Sequence, residues 1–252
     1  MHTSSARTSL PPSISIITCT LNQNKYIQEL LNSVSQQELK NFEHIIVDGG
    51  STDGTLKKIA DYSKHSNGSF PIKLLSYPPK GISDAMNKGI EQAQGDWIIV
   101  VQGDDYLENT QSTQRMQREI IKRPSSAWLV GNFVRNYFGV TYNTHTYAIR
   151  PLLYRLLLRG INLISHQNML MKKELFSKYG YFDTRYTTHM DTDLYLRLLE
   201  NNVFPTTIDA SFTVLRRHLG AASIRPDIYF SSLAILRPRL KEARKKIKWK
   251  RT

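Results

Sequence analysis

Two adjacent carboxylates stand where a buried strand is predicted to end. Asp104 and Asp105 follow Gly103 and the apolar run Trp97–Val101. Neighbouring carboxylates repel each other unless a cation lies close by, and a divalent cation shared between carboxylates and ligand phosphates is a common solution. The pair therefore favours a metal site for a phosphorylated ligand. A polar turn in which Asp105 caps the next helix explains the same residues, and a Gly-Asp-Asp turn taken alone is common.

A third carboxylate, Asp48, lies in a glycine-rich loop after the apolar run 44–47 (HIIV). Gly49 and Gly50 allow backbone N–H groups to turn toward a ligand, and the carboxylate can accept hydrogen bonds from a base or a ribose. A turn with a helix cap is an equally good interpretation. Because no Gly-Lys-Ser/Thr sequence follows, the loop is not a P-loop, and it lacks the dinucleotide-binding pattern as well.

The second half of the chain offers a separate group of polar residues. Asp191 and Asp193 come just after His189, at the start of an apolar helical run. A carboxylate in that position is often only a helix cap. Residues two apart on a helix point in different directions, so we expect the two carboxylates to do different jobs. His166 and Gln167 lie between apolar residues, where a lone histidine is more often a hydrogen-bonded core residue than a catalyst.

These residues must be positioned by alternating strands and helices. Helical patterns separate four apolar runs that predict buried strands, at 13–18, 44–47, 72–75 and 97–101. The alternation predicts a parallel α/β sheet, whose ligands bind beyond the carboxyl ends of the strands. Asp48 and the Asp104–Asp105 pair fall there. The second half is less regular, and its expected elements are strands within 128–140 and helices at 150–160 and 190–200.

The composition excludes several classes of protein. The chain has 252 residues, 40% of them hydrophobic, so it can bury a sizeable core and is not disordered as a whole. Its 34 Lys and Arg against 21 Asp and Glu give a net charge of +13, which favours phosphates, nucleic acid or an acidic membrane surface as partner. Cys19 is the single cysteine, so an intrachain disulfide and a cysteine-based zinc site are excluded. With no signal-like segment and no apolar run of about 20 residues, we expect a soluble, cytoplasmic protein.

The order and spacing of these motifs resemble the family 2 glycosyltransferases. The matching motifs are SIIT (15–18), IVDGGSTDGT (46–55), KGISDAMNKGI (80–90), GDD (103–105), SHQ (165–167) and DTDLYLRL (191–198). The resemblance covers about residues 13–199, and the KGISDAMNKGI motif is its most specific part. It is especially similar to the subgroup that builds bacterial O-antigen and other surface polysaccharides.

The resemblance implies an α/β fold: a single GT-A (Rossmann-like) domain with a mostly parallel central sheet and a basic C-terminal helical tail. The first twelve residues are polar and end in Pro11-Pro12, so we expect a disordered N-terminus (1–12). The resemblance then gives a glycosyltransferase domain (13–215), and the strongly basic tail gives a C-terminal extension (216–252). Within the domain, residues 13–105 would form the nucleotide-sugar half and residues 106–215 the acceptor half.

The resemblance also implies an activity. A sugar of the hexose type would pass from a nucleotide-sugar donor to a saccharide or a polyprenyl-diphosphate-linked saccharide, with inversion at the anomeric carbon and with Mg²⁺ or Mn²⁺ as cofactor. Matched motif by motif, Asp191 corresponds to the catalytic base and Asp105 to the metal ligand. Donor-nucleotide contacts fall on Cys19, Thr20, Asp48, Asp84, Lys88 and Asp104. Acceptor or supporting roles fall on His166, Gln167, His189 and Asp193.

Two positions depart from the family pattern. Cys19 stands where proline is usual, which changes the stiffness expected of the loop that packs on the nucleotide. Met86 stands where many relatives carry an arginine that helps bind the phosphates, so we expect another cation, such as Lys80 or Lys88, to take that place.

The C-terminal segment predicts a further partner. From Arg237 to Arg251 it carries nine basic residues and one acidic residue, and apolar residues such as Phe230 and Leu236 precede this run. Apolar area combined with cationic charge favours peripheral attachment to anionic lipid, so we expect the protein at the inner face of the cytoplasmic membrane. A solvated, disordered arm is the simpler interpretation of the same segment.

Two alternatives to an active transferase use the same residues. A nucleic-acid-binding protein would use the basic tail, but no homeodomain, zinc-finger or RNA-recognition pattern accompanies it, so no nucleic-acid partner is expected. A nucleotide-sugar-binding protein without activity would need no base, whereas Asp191 is present. The active enzyme is therefore the leading hypothesis.

Overall fold

A computed structural model of the chain describes residues 13–246, apart from 67, 79, 138, 145–154, 163, 165 and 219–225. The expected disordered N-terminus (1–12) and the first part of the helix expected at 150–160 lie outside the described residues.

The secondary structure follows the predicted alternation through residue 101. The described strands are β1 (Ile14–Thr20), β2 (Phe42–Asp48), β3 (Ile72–Ser76), β4 (Trp97–Val100), β5 (Tyr106–Leu107), β6 (Trp128–Val130), β7 (Phe133–Tyr137), β8 (Val140–Thr144), β9 (Met169–Lys172), β10 (Thr206–Thr207) and β11 (Thr213–Arg217). The described helices are α1 (Ile27–Ser35), α2 (Thr55–His65), α3 (Ile82–Gln92), α4 (Ser112–Ile121), α5 (Glu174–Tyr179), α6 (Met190–Glu200) and α7 (Pro226–Lys246). A short 3₁₀ helix, His166–Asn168, precedes β9.

A central sheet combines seven of the described strands in the order β10-β6-β9-β4-β1-β2-β3. The strands β4, β1, β2 and β3 run parallel, whereas β9 is antiparallel to both β4 and β6. The expected mostly parallel sheet is therefore confirmed. β1 and β2 are buried along their whole length, because helices cover both faces of the sheet, and this is why their sequences are nearly continuous apolar runs.

A second, smaller sheet contains β5, β11, β7 and β8 in that order. β11 pairs antiparallel with β5 and parallel with β7, and β7 and β8 form an antiparallel hairpin. β11 runs through the expected domain boundary after residue 215, so residues 216 and 217 belong to this sheet. The expected halves 13–105 and 106–215 also share the central sheet, since β4 pairs with β9.

Two apolar layers cover the faces of the central sheet. Ile17 of β1 faces the layer that contains α3, α6 and α7, whereas its neighbour Ile16 faces the layer that contains α1, α2 and α4. Gly89 lets α3 lie close to β1, because a Cβ at this position would lie 2.4 Å from Cγ2 of Ile17. Close packing therefore explains a glycine of the KGISDAMNKGI motif.

The basic C-terminal segment is packed on the domain as far as residue 246. α7 buries Leu236 and Leu240 in the layer that it shares with α6. The prediction that Leu236 is available to lipid is therefore wrong, and a solvated arm is excluded for residues 226–246. The exposed side of the same helix carries Phe230 and Ile235, which are 64% and 43% exposed.

The end of the helix expected at 150–160 also belongs to the core. Leu157 and Leu158 are buried, so these leucines pack in the core. None of the described helices is both long and apolar enough to cross a membrane.

Candidate active site

A cleft of about 570 Å³ opens beyond the carboxyl ends of β1 and β4, between the central sheet and the smaller sheet. This is the position predicted for a ligand of a parallel α/β sheet. The cleft is lined by the end of β1, the loop after β4 and the start of α3. Residues of β7 and β11 and the segment that leads into α6 complete the lining. The titratable residues in this lining are Cys19, Tyr77, Asp104, Asp105, Arg135, His166, His189, Asp191, Arg216 and Arg217.

The predicted carboxylate pair lies on one wall of this cleft. Gly103 brings the loop after β4 against β1: its backbone N–H donates to the Cys19 carbonyl at 2.9 Å, and a Cβ at Gly103 would lie 2.7 Å from Oγ1 of Thr20. Asp105 is 3% exposed and accepts hydrogen bonds from the Arg216 backbone N–H at 2.8 Å and from Gln167 Nε2 at 3.2 Å. These contacts hold Asp105 at the edge of the cleft.

A bound cation would offset the repulsion between the Asp104 and Asp105 carboxylates. Burial, and then the neighbouring charge of Asp104, raise the pKa of Asp105 well above its usual range. Mg²⁺ and Mn²⁺ prefer oxygen ligands, and Mg²⁺ is commonly held by one or two carboxylates together with substrate phosphates. The residues present fit such an ion, provided that the ligand supplies further oxygens. Within the described part of the chain, no cluster of three or more His, Cys, Asp or Glu side chains could hold a metal without them.

Cys19 and Thr20, both predicted to contact the nucleotide, line the cleft at the end of β1. Burial raises the pKa of the Cys19 thiol, so the sulfur stays protonated and is a poor nucleophile. Thr20 Oγ1 is buried and has no hydrogen-bond partner among the described residues. Both residues line the cleft, and their contact with a nucleotide stays a prediction.

Asp48 organises its own loop. Its Oδ1 accepts hydrogen bonds from the backbone N–H groups of Gly50 and Ser51 at 2.9 Å and 2.8 Å, and its Oδ2 accepts one from the Ser51 hydroxyl. Asp48 is fully buried, and Gly49 rather than Asp48 lines the cleft. A direct contact between Asp48 and a nucleotide base stays a prediction.

The two residues predicted on α3 do not line the cleft. Asp84 lies beside Tyr77, and burial followed by the charge of Asp84 raises the pKa of the Tyr77 phenol, which does line the cleft. Lys88 is exposed and pairs with Glu91 at 3.3 Å. We therefore leave Lys88 out of the candidate site, because its ammonium group faces away from the cleft on the surface of α3.

Asp191 also lines the cleft, in the first turn of α6. Its Oδ2 accepts a hydrogen bond from Asn162 Nδ2 at 2.9 Å and lies 3.7 Å from Nδ1 of His166. Its Oδ1 accepts a hydrogen bond from the Thr192 backbone N–H at 2.7 Å. The carboxylate thus has a defined orientation and is open to the cleft, as a group that accepts a proton from a bound hydroxyl must be.

His166 and Gln167 connect the two carboxylate centres. His166 lies between Asp191 and Gln102, with its Nε2 3.2 Å from Nε2 of Gln102, while the adjacent Gln167 donates to Asp105. Two neighbouring residues of one 3₁₀ helix therefore contact both carboxylate centres. His166 is a contact of a polar site rather than the core histidine that the sequence also allowed.

His189 and Asp193 have different surroundings. His189 lines the cleft with a left-handed backbone (φ 64°), and burial lowers the pKa of its imidazole, which favours the neutral ring. Asp193 is 5% exposed and forms ion pairs with Arg197 at 2.9 Å and with Arg239 at 3.3 Å. Asp193 does not line the cleft, and its carboxylate joins α6 to α7. Its acceptor or supporting role stays a prediction. The expected division of labour between Asp191 and Asp193 agrees with this geometry.

Several residues of the cleft were missed by sequence reasoning. Arg216 connects both aspartates, since its Nε donates to the Asp104 carbonyl at 2.9 Å while its backbone binds Asp105. His218 Nε2 lies 2.9 Å from Oδ2 of Asp104. A run of cations directly after an apolar strand, Arg216–His218, is the signal that could have found them. No sequence pattern points to Asn162 or Arg135, because their neighbours in the cleft come from distant segments of the chain.

The chain is similar to known glycosyltransferases. The family model "Glycosyl transferase family 2" matches residues 15–180. A "PGL/p-HBAD biosynthesis glycosyltransferase" of Mycobacterium bovis is 29% identical over 195 residues, which cover 77% of this chain and 73% of the relative. An "Uncharacterized glycosyltransferase" of Haemophilus influenzae is 26% identical over 231 residues, covering 88% of this chain and 74% of the relative.

Solved structures share the fold at low identity. TarS 1–349 of S. aureus, in complex with UDP-GlcNAc, superposes with a TM-score of 0.72 at 21% identity, covering 94% of this chain and 68% of TarS 1–349. The mannosyltransferase PcManGT of Pyrobaculum calidifontis, in complex with GDP-Man and Mn²⁺, gives a TM-score of 0.65 at 16% identity, covering 94% of this chain and 70% of the other.

Proposed function

Since the chain belongs to glycosyl transferase family 2, we propose that it moves a hexose from a nucleotide-sugar donor to a saccharide acceptor, with inversion at the anomeric carbon. The observation that carries this proposal is the presence of two separate carboxylate centres in the lining of one cleft. Asp104 and Asp105 form one centre, Asp191 forms the other, and His166–Gln167 connects them. An inverting displacement needs a base on one face of the sugar and a stabilised leaving group on the other.

The donor side of the proposal rests on Asp104 and Asp105. Asp105 would hold Mg²⁺ or Mn²⁺ together with the donor diphosphate, and Asp104 would complete the charge balance. When bound, the cation would neutralise the negative charge that develops on the departing diphosphate. Cys19, Thr20 and the loop that Asp48 organises would form the wall against the nucleotide. The two proteins of similar fold described above were solved with UDP-GlcNAc and with GDP-Man and Mn²⁺, which supports a nucleotide-sugar donor.

The acceptor side rests on Asp191. Its carboxylate would take the proton from the acceptor hydroxyl as that oxygen bonds to the anomeric carbon and the bond to the diphosphate oxygen breaks. Asn162 and the Thr192 backbone hold the carboxylate by hydrogen bonds at 2.9 Å and 2.7 Å, so its orientation is prepared before the acceptor arrives. His166 would stabilise the charged carboxylate by its proximity to Oδ2.

A donor panel tests the proposal. We expect one nucleotide sugar, incubated with Mg²⁺ or Mn²⁺, to release its nucleoside diphosphate slowly alone and faster with a saccharide acceptor. Asp105→Asn should remove metal-dependent binding of the nucleoside diphosphate in calorimetry, whereas Asp61→Asn, a change at an exposed carboxylate on α2, should not. Binding of a donor that is never consumed would instead support an inactive nucleotide-sugar-binding protein. No nucleotide binding together with a salt-dependent shift of DNA would support the nucleic-acid-binding alternative.

We further propose that the acceptor belongs to bacterial surface-polysaccharide synthesis of the O-antigen type and is a saccharide carried on polyprenyl diphosphate. The enzyme would then work at the inner face of the cytoplasmic membrane. The exposed side of α7 supports this location, because it combines Phe230 and Ile235 with exposed cations such as Arg237, Lys241 and Lys245. Apolar area and positive charge on one surface favour anionic lipid.

Vesicle sedimentation tests the membrane location. We expect the protein to sediment with phosphatidylglycerol vesicles at low salt. With phosphatidylcholine vesicles we expect it to stay in the supernatant. The double change Lys241→Gln and Lys245→Gln should weaken binding on the order of tenfold, since each basic residue near the surface contributes about 1 kcal/mol. The matched control is Lys57→Gln with Lys64→Gln, which removes two exposed charges from α2. Equal losses in both double variants would point to net charge alone, and no binding at all would reject the location.

A further inference from the structure

The wall of the cleft formed by the smaller sheet continues outward as an exposed face. Phe133 and Arg135 of β7 line the cleft, and Tyr137 follows on the same side because side chains of a strand alternate. In the β7–β8 register Arg135 lies opposite Tyr142, so Tyr142 of the edge strand shares this face. Val140 lies opposite Tyr137 and extends it further. We call the surface of Arg135, Tyr137, Val140 and Tyr142 the hairpin face.

The outer part of the hairpin face is aromatic and open to solvent. Tyr137 is 41% exposed and Tyr142 is 56% exposed. Their ring centroids lie 5.8 Å apart at an interplanar angle of 77°, so the edge of one ring meets the face of the other. A tyrosine in this setting offers an apolar surface with a hydroxyl at its rim, which matches a sugar ring with apolar C–H groups on its faces and hydroxyls around it.

The inner part of the hairpin face is cationic. Arg135 makes no hydrogen bond or ion pair with the described residues: its Nε is buried without a partner, and its guanidinium lies 5.1 Å from the centre of the Phe133 ring. Arg217 of the neighbouring strand also lines the cleft, and after burial its charge is the largest cause that lowers the pKa of Arg135. Arg217 also acts on the charge of Asp105, whose pKa it lowers, so Arg135 is the guanidinium group that makes no ion pair with the described residues. An anion bound at Arg135 would offset the repulsion between the two guanidinium groups.

We propose that the hairpin face, together with Arg217, is the acceptor subsite and that it selects an acidic saccharide. A phosphate or carboxylate of the acceptor would bind Arg135 and Arg217, and the adjoining sugar ring would stack on Tyr142 and Tyr137. This inference rests on the proposed function, since it assigns the acceptor of the same reaction. The anion is placed on the acceptor because the donor diphosphate already has its own centre at Asp104 and Asp105.

Matched saccharides test the subsite while the donor site is filled. The protein is saturated with a nucleoside diphosphate and Mn²⁺, which removes the donor site from competition. Saturation-transfer NMR then measures the binding of two pairs of compounds: methyl glucuronide against methyl glucoside, and glucose 6-phosphate against glucose. We expect the acidic member of at least one pair to bind about tenfold more tightly, because hydrogen bonds to a charged group are stronger than those between neutral groups. The pair that shows the preference tells whether the subsite selects a carboxylate or a phosphate.

Single substitutions separate the two parts of the subsite. Arg135→Gln should reduce the acidic-over-neutral preference toward one, and Arg135→Lys should retain part of it, since lysine keeps the charge without the bidentate geometry. Tyr142→Ala should weaken acidic and neutral saccharides alike by about threefold, because it removes only the ring surface. The controls are Lys64→Gln for loss of an exposed charge and Phe204→Ala for loss of an exposed ring elsewhere.

The outcomes distinguish the inference from the proposed function. If no nucleoside diphosphate binds to the wild-type protein, the proposed function fails and the acceptor subsite fails with it. If the nucleotide binds but wild-type protein shows no acidic preference, or Arg135→Gln and Arg135→Lys leave that preference unchanged, the subsite alone is rejected. Sedimentation equilibrium tests whether a second copy of the chain binds the hairpin face instead. A dimer that Tyr142→Ala dissociates would assign the face to that copy and overturn the inference.

Discussion

The loop after β2 and the start of α6 carry the carboxylates Asp48 and Asp191, and they are held in opposite ways. Asp48 accepts its hydrogen bonds from Gly50 and Ser51, two and three residues away. Asp191 depends on Asn162, 29 residues away, and on His166. The carboxylate of Asp48 is therefore oriented by its own loop, whereas that of Asp191 is oriented by distant parts of the fold.

The C-terminal helix contributes to this dependence. Ser232 of α7 lies 3.1 Å from the Thr188 backbone N–H, which donates to its hydroxyl, and Arg239 pairs with Asp193. Thr188 lines the cleft two residues before the helix that carries Asp191. Both α7 and Asp191 lie beyond residues 15–180, the part matched by the family model. A chain cut at the end of the matched region would therefore lose the proposed base together with its support.

The largest effect is expected at Asp191. Asp191→Asn keeps the shape of the side chain but removes the proton acceptor, so turnover should fall by about 10²–10⁴-fold. Steady-state kinetics with the donor and an acceptor measure the loss, and calorimetry with the nucleoside diphosphate should give an unchanged affinity. Turnover within a few fold of wild type would reassign the base, with His189 as the next candidate on this wall of the cleft.

The neighbouring carboxylate should affect stability instead. Asp193→Asn removes the charge that is shared by Arg197 and Arg239, and breaking a buried ion pair from one side typically costs about 3–5 kcal/mol in the free energy of unfolding. Urea denaturation measures this cost. The control is Glu91→Gln, which breaks the exposed pair with Lys88 and should cost less than about 1 kcal/mol. Similar costs for the two variants would show that Asp193 does not join α6 to α7.

The packing of α7 gives the next prediction. Leu236→Ala should lower the free energy of unfolding by about 2–5 kcal/mol, since Leu236 is fully buried and its loss leaves a cavity. Ile235→Ala, on the adjacent exposed position, should change it by about 0.5 kcal/mol or less. Urea denaturation of both variants decides between a packed helix and an arm. Two equally small values would contradict the burial of α7.

The smallest effect is expected in the loop after β2. Ser51→Ala removes the hydroxyl that donates to Asp48 and that accepts a hydrogen bond from the Asn22 backbone N–H at 2.8 Å. Each of these two hydrogen bonds typically contributes about 1 kcal/mol, and the one to Asp48 bears on the wall against the nucleotide, so the nucleoside diphosphate should bind about fivefold more weakly. Calorimetry measures the affinity, and turnover at saturating donor should stay close to wild type. A selective loss of turnover would mean that the loop acts on the Asp191 wall, contrary to the local character described above.

Most of the nucleotide half could be predicted from the sequence because its signals are local. The apolar runs that became β1, β2 and β4 have the continuous hydrophobicity that burial on both faces requires, and Asp48 and Asp104 follow directly after such runs. The different directions of Asp191 and Asp193 followed from helical geometry alone. In each case the deciding information lies within a few residues of the position concerned.

Other features were decided only by the tertiary structure. Lys88 and Met86 lie on one helix, yet only the packing of α3 on the sheet turns Lys88 to solvent and Met86 into the core. The pairing of β11 with β7 brings Arg217 beside Arg135, 82 positions earlier in the chain.

The sequence of this protein therefore determined its α/β class, the strand ends that carry the first carboxylates, and its motif-level family resemblance. The tertiary structure decided that α7 belongs to the core, that Asn162 and His166 hold Asp191, and that cations from two distant strands share one wall of the cleft. The physical reason is that hydrophobic periodicity in the sequence indicates which side chains are buried. Which polar groups come into contact depends on strand register and helix packing between segments that are remote in the chain.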